Sequence, residues 1–242
     1  MSEFSVIGKR VPRVDAWEKA TGEARYTDDF SLPGMLHGRL LRSPVPHARI
    51  VSIDTSRAKA LPGVAAVVTA ADFPQVNYGN WRLVPSTQDE TALARETVRF
   101  VGDEVAAVAA VDRDTAEEAL ALIRVEYEER PGVFDIDAAT GAGAPILHEG
   151  TPGNVSVTRN ISYGDLDEQF ARSDYVREDT FELQAVSPAY LEPCSTLAVV
   201  DEQGRVALTS STQTPYIVQC LLAKALGIRE NEVRVVKPAL GG

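Results

Sequence analysis

The stretch from Leu197 to Val236 constrains the fold most. Leu197-Ala198-Val199-Val200 and Arg205 to Thr209 read as two strands of a hairpin with Gly204 near its tip. The clearest helix in the chain follows. Pro215 stands near its first position, Ile217, Val218, Leu221, Leu222 and Ala225 supply apolar side chains, and Gly227 lies beyond its end. A short Val-rich strand comes next, then Lys237-Pro238-Ala239-Leu240-Gly241-Gly242. Strands interrupted by an amphipathic helix bury one face of each element in a shared layer, so the segment predicts an α+β architecture.

The same alternation runs through the first half. Met35 to Arg42 and Ala48 to Ile53 read as strands separated by the turn-prone Ser43-Pro44-Val45-Pro46. Asp54 or Thr55 can cap a short helix through Leu61, which Pro62-Gly63 ends before the strand Val64 to Thr69. Residues from Asp72 to Arg95, with Pro74, Gly79, Trp81 and Pro85, form a long irregular excursion. Val98 to Val101 and Val105 to Val111 are expected to pair about Gly102-Asp103. A helix over Thr115 to Ile123 then has Asp114 as cap, with Glu117 completing a capping box, before a strand at Val125-Glu126-Tyr127.

These signals divide the chain into a terminal segment, 1–19, a compact α+β unit over 20–132, a linker over 133–154 and a second unit over 155–242. The linker is rich in Pro, Gly, Ala and Thr and has no periodic apolar face. In the second unit Val155 to Tyr163 is expected to be extended. Asp165 can cap a helix through Arg172, and Tyr175 to Leu183 alternates like an exposed strand.

With 44% apolar and 24% charged residues the chain is an ordinary globular protein. Its net charge of −11, with no Lys/Arg run, argues against nucleic acid and anionic membrane surfaces as partners. The opening residues lack a secretory signal, and no stretch is apolar enough to insert in a membrane, so a cytoplasmic location is expected. Cys194 and Cys220 have no metal-binding spacing, which assigns any iron–sulfur centre to another chain or domain.

No familiar catalytic constellation is present. His37, His47 and His148 stand in different segments and read as surface or interface residues. Cys194, after Glu192-Pro193, has a neighbouring carboxylate that disfavours a thiolate and reads as packing at the start of a strand. Cys220 falls beside the apolar stripe of its helix. Asp112, Asp114, Glu117 and Glu118 are helix-start charges, and Asp28-Asp29 lies in a turn, so no catalytic or metal role is assigned to any of them. Gln213 differs, because its neutral amide offers both donor and acceptor just before a proline-started helix. Gly241 and Gly242 could open a loop that lets backbone N–H groups approach a cofactor, since glycine lacks the Cβ that bars close contact. By residue type alone all three also suit an ordinary turn.

Several collinear motifs carry a resemblance. Asp15 to Asp29 followed by Leu32-Pro33-Gly34-Met35-Leu36, Arg42-Ser43-Pro44 with His47-Ala48-Arg49-Ile50, and Val98 to Ala106 resemble the large subunit of the molybdenum hydroxylases, the xanthine dehydrogenase and aldehyde oxidase family. Tyr190-Leu191-Glu192-Pro193-Cys194 and Ser211 to Tyr216 look most like the branch containing 4-hydroxybenzoyl-CoA reductase.

The resemblance implies an α/β hammerhead domain followed by the first part of a molybdopterin-binding domain. It implies a molybdopterin-type molybdenum cofactor here, with an iron–sulfur cluster and FAD on partner subunits. On this reading Gln213 approaches the metal's ligand sphere and Gly241-Gly242 begin the cofactor loop. The rest of that loop and a distal glutamate base are absent, so the chain is expected to be the N-terminal part of a multi-subunit oxidoreductase and inactive without the C-terminal portion. The implied reaction is hydroxylation or reductive dehydroxylation of an aromatic, N-heterocyclic or aldehyde small molecule. The alternative reading is a non-catalytic hammerhead module that docks partner subunits.

Overall fold

The structure is a computed structural model that describes residues 4–79 and 87–241; Trp81 and Pro85 of the expected excursion lie outside these residues. Among the described residues nine strands form three three-stranded sheets. Their orders are β1-β5-β3, β4-β2-β6 and β7-β8-β9.

The first sheet joins β1 (His37–Arg42), β3 (Val64–Thr69) and β5 (Glu104–Ala110), with β5 central and antiparallel to both neighbours. Over it lie α2 (Ser56–Ala60) and α3 (Arg113–Leu122). The contact is made of small residues: Ala106 and Ala110 of β5 and Ala58, Ala116 and Ala119 of the helices are fully buried in one cluster with Val67, Val108 and Ile123. Alanine on both sides lets helix and sheet backbones approach closely, so even one added methyl is felt. The second sheet joins β2 (Ala48–Asp54), β4 (Thr97–Val98) and β6 (Arg124–Glu129). Its core contains Ala48, Ala94, Val98 and Val105, and Ile53 and Val125 pack against both clusters, so the two sheets share one interior. Burying Val98 and Val105 contributes about 1.5–3 kcal/mol each.

Two sequence expectations change here. Val98–Val101 and Val105–Val111 do not pair with each other: β4 pairs with β2, while β5 lies between β1 and β3. The apolar run of β5, buried at Val105, Ala106, Val108 and Ala110, makes it a central strand, and a central strand needs two long neighbours. The cap of α3 is Asp112, not Asp114; its carboxylate accepts the Thr115 N–H at 2.7 Å, and the helix starts two residues earlier than expected.

The 133–154 segment contains α4 (Ile136–Thr140), whose cap Asp135 accepts the Ala138 N–H at 2.6 Å. Asn154 gathers the rest. Its side chain accepts from Leu147 N–H and donates to the Ala139 and Pro145 carbonyls, all at 2.9–3.0 Å. His47, expected at the surface or an interface, is buried within the chain, and its ring Nδ1 lies 2.8 Å from the Pro131 carbonyl oxygen at the edge of this segment. An imidazole with a backbone partner can be buried without loss, which spacing alone does not reveal.

Beyond Asn154 come α5 (Leu166–Ala171), capped by Asp165 as expected, and a long irregular path to Ser195. The strands expected at 155–163 and 175–183 do not form. Phe181 and Leu183 are 84% and 91% exposed, and a strand forms only where a ladder partner takes its N–H and C=O groups. The third sheet follows: β7 (Thr196–Val200) and β8 (Val206–Ser210) make the expected hairpin, and α6 (Pro215–Leu226) crosses to β9 (Val233–Val236), parallel to β8. α6 begins on Pro215 and ends on Gly227 in the left-handed region.

Candidate functional site

The end of β9 leads into residues 237–241, and three separate parts of the chain converge there. The start of the first unit supplies the first contact: the Ala239 N–H donates to the Arg25 carbonyl at 3.1 Å. Arg25 is itself fixed, with its guanidinium 4.3 Å from the Phe30 ring centroid and donating to the Asp29 carbonyl at 2.8 Å. The 188–194 segment supplies the second, because the Gly241 N–H donates to Glu192 Oε2 at 2.5 Å. The loop between β8 and α6 supplies the third, bringing Ser211 and Gln213 beside Leu240.

That loop is held against the start of β7, just beyond the 188–194 segment, by hydroxyl contacts. Ser195 N–H donates to Ser211 Oγ at 3.1 Å, Ser211 Oγ donates to the Ser195 carbonyl at 3.2 Å, and the Thr196 and Ser210 hydroxyls pair at 2.9 Å. The result is a cleft of about 530 Å³ lined by Pro188, Tyr190, Glu192, Cys194, Ser211, Gln213 and Leu240. Glu192 is the only charged residue among them. Its Oε1 is buried and has no hydrogen-bond partner, while Gln213 is exposed to the cleft and makes no side-chain hydrogen bond among the described residues.

Gly241 is pinched at this point. A Cβ added there would lie 2.9 Å from Glu192 Cβ and 3.5 Å from Tyr26 Cε1, so the space excludes a side chain. Ala189, before Tyr190, has φ of +50°, a left-handed conformation that a residue with a Cβ adopts only at a cost. The Tyr190 hydroxyl and Cys194 Sγ are 3.3 Å apart, and this hydrogen bond raises the phenol's pKa above its ordinary value. Cys194 is exposed, against the expectation that it packs, because the strand it precedes begins only at Thr196. Cys220 is buried in α6 as expected.

Of the three residues singled out from sequence, the structure brings Gln213 into the cleft and Gly241 beside it through the bond to Glu192; Gly242 lies outside the described residues. Sequence reasoning missed Glu192, Tyr190 and Tyr26. Glu192 is 49 residues from Gly241, and no spacing rule connects a carboxylate to a main-chain amide at that range. Among the described residues no three His, Cys, Asp or Glu side chains group to hold a metal. None of their helices is long and apolar enough to cross a membrane.

The class of protein to which this fold and cleft belong follows from two family models. Residues 21–131 match the family model of the aldehyde oxidase and xanthine dehydrogenase a/b hammerhead domain, and residues 147–242 match the molybdopterin cofactor-binding domain. The chain is 36% identical over 240 residues to the nicotinate dehydrogenase large molybdopterin subunit of Eubacterium barkeri, covering 99% of this chain and 55% of that protein. It is 36% identical over 250 residues to the carbon monoxide dehydrogenase large chain of Afipia carboxidovorans, covering 98% and 31%. Quinoline 2-oxidoreductase from Pseudomonas putida 86 superposes with a TM-score of 0.84 at 36% identity, covering 97% of this chain and 30% of that one. The chain belongs to the molybdenum hydroxylase (xanthine dehydrogenase and aldehyde oxidase) family and corresponds to part of its large, molybdenum-binding subunit, spanning about a third to about half the length of these relatives.

Proposed function

We propose that this chain forms the hammerhead domain (20–132), the connecting segment (133–154) and the first part of the molybdopterin-binding domain (155–242) of a molybdenum-dependent oxidoreductase. The observation that carries this reading is the convergence of Gln213, the Leu240-Gly241 backbone and Glu192 on one cleft within a chain that matches both family models over most of its length.

The residues present fit a pterin cofactor. A pterin is a flat heterocycle with several donors and acceptors, and the cleft meets such a group with a free amide at Gln213, the remaining acceptor lone pair of Ser211 Oγ and the flat face of Tyr190. With no ligand cluster among the described residues, the metal would be held by the pterin and not by side chains described here. When bound, the group supplies two-electron redox chemistry at molybdenum. Gln213 would orient it through one donor and one acceptor, and Tyr190 and Pro188, which also line the cleft, would exclude water from it.

The relatives' names guide the choice of substrate class. Two of the three are named for N-heterocycles, nicotinate and quinoline, and the third for carbon monoxide. An N-heterocyclic or related aromatic small molecule therefore comes first, with aldehydes as the alternative. The likeness of Tyr190 to Cys194 to the 4-hydroxybenzoyl-CoA reductase branch adds removal of a ring hydroxyl to the reactions worth assaying. The partners on this reading are the C-terminal portion of the molybdopterin-binding domain, an iron–sulfur subunit and an FAD subunit. The large apolar side chains exposed between Val155 and Leu191, among them Ile161, Tyr163, Phe181 and Leu183, support docking of further protein along that segment.

Substitution of Gln213 by Ala in the assembled complex tests the reading. A fall in turnover with altered molybdenum content or spectrum is expected. Unchanged activity and metal content would favour the other reading, a hammerhead module that only docks partners.

A further inference from the structure

We propose that Glu192 is the positioning residue of the glycine segment: its carboxylate holds the Gly241 amide and so sets where the backbone enters the cleft. The inference rests on the reading of the cleft as a pterin site. Three observations support it independently of that reading. Glu192 Oε2 accepts the Gly241 N–H, a charge-assisted bond of roughly twice the strength of a neutral one. The Glu192 side chain also fills the space where a Cβ on Gly241 would stand, so charge and shape act on the same residue. Its second oxygen, Oε1, is buried and has no partner, and no Lys or Arg lies in hydrogen-bonding or ion-pairing contact with the carboxylate among the described residues.

A carboxylate kept without a cation and with one unsatisfied oxygen is poor structural glue, because the unsatisfied atom costs free energy that an apolar residue would not. Retaining it is reasonable only where the remaining bond does something an apolar residue cannot. That bond fixes a glycine, the residue with most backbone freedom to lose, at the edge of the cleft that holds Gln213. Ala239, two residues earlier, is fixed to Arg25, so the backbone is tied on both sides of Leu240, the residue that lines the cleft.

The test uses the assembled, pterin-loaded protein and compares Glu192→Ala with Glu192→Gln. Gln keeps a carbonyl acceptor at the same reach and Ala removes it. Pterin and molybdenum per chain after dialysis are measured beside the thermal midpoint. Expected are about tenfold weaker cofactor retention in E192A, as the loss of a charge-assisted bond implies, a clearly smaller loss in E192Q, which keeps a neutral acceptor, and thermal midpoints that differ little between the two. Equal loss in both variants, or no loss in either, overturns the proposal. A wild-type complex that carries no pterin is a different failure and refutes the reading of the cleft itself.

Discussion

The Ala239 N–H donates to the carbonyl of Arg25 at 3.1 Å, joining the segment after β9 to residues more than two hundred positions earlier. The next residue after Arg25, Tyr26, donates its N–H to Asp29 Oδ2 at 2.8 Å and presents its ring to Gly241. The turn at Tyr26–Asp29 is thus a prop: it holds one side of the glycine segment while Glu192 holds the other.

That two-sided enclosure predicts the outcome of Gly241→Ala. The limit is space and not backbone conformation, since the new Cβ would stand 2.9 Å from Glu192 Cβ. The segment has to shift, breaking the Glu192 bond. Because Gly241 is exposed and belongs to no strand, global stability is expected to change by under about 1 kcal/mol. Pterin content should fall while the denaturation midpoint stays put. A parallel loss of both would show that the enclosure serves folding alone.

Ala189 gives a second, opposite-signed prediction. Its left-handed φ of +50° costs about 1–2 kcal/mol for a residue with a Cβ, and glycine avoids that cost while adding unfolded-state entropy. Ala189→Gly is therefore expected to stabilise the protein by roughly 0.5–1 kcal/mol in urea titration. A destabilised variant would mean that the strain is not there.

Asn154 shows why part of the fold was hidden in the sequence. The segment 133–154 reads as a linker because it lacks an apolar period, yet Asn154 binds the backbone at Ala139, Pro145 and Leu147 from a left-handed conformation that Asn tolerates. Asn154→Ala removes three bonds and puts a Cβ-bearing residue without local hydrogen bonding at φ of +54°, so a loss of about 2–3 kcal/mol is expected. Chemical denaturation measures it, and a change below about 0.5 kcal/mol would contradict the stitching role.

Elements whose stability is local were legible. β3 spans Val64 to Thr69 as its β-branched run suggests, and α6 runs from Pro215 to Leu226 with Gly227 as its cap, as its proline start and glycine stop suggest. Pairing was less legible, because the choice of neighbours for β5 depends on which strands take up the N–H and C=O groups along its two edges. Of the cleft, Gln213 and Gly241 stood out by residue type. Glu192 did not, since a carboxylate that serves a distant amide looks like any other surface acid until the chain is folded.

Asp112 caps α3, the helix whose Ala116 and Ala119 close the main core. Asp112→Ala leaves the Thr115 N–H without its acceptor and is expected to cost about 1 kcal/mol. Asp112→Asn should recover most of it, whereas Asp114→Ala should cost little, because Asp114 does not act as the cap. Equal effects at the two positions would restore the sequence-based assignment.

The pH dependence of stability should carry a signature of His148. Burial is the main cause that lowers its pKa from 6.5, and Arg99 adds to the shift, while Asp89, 3.8 Å away, and Asp103 oppose it. A lowered histidine pKa means that the unfolded chain takes up the proton before the folded one. Its contribution is therefore fully present above pH 6.5 and is lost as pH falls from 6.5 toward the folded value. Asp103 works the other way, since burial raises its pKa, so the folded protein gains from its protonation at more acidic pH. Thermal midpoints measured between pH 8 and pH 5 should fall below pH 6.5 in the wild type and stay flatter through that window in His148→Gln. Asp103→Asn should remove the gain at the acidic end and, because the Asp103 charge opposes the His148 shift, extend the His148 window toward lower pH. Parallel curves for wild type and His148→Gln would mean that His148 is as well solvated folded as unfolded.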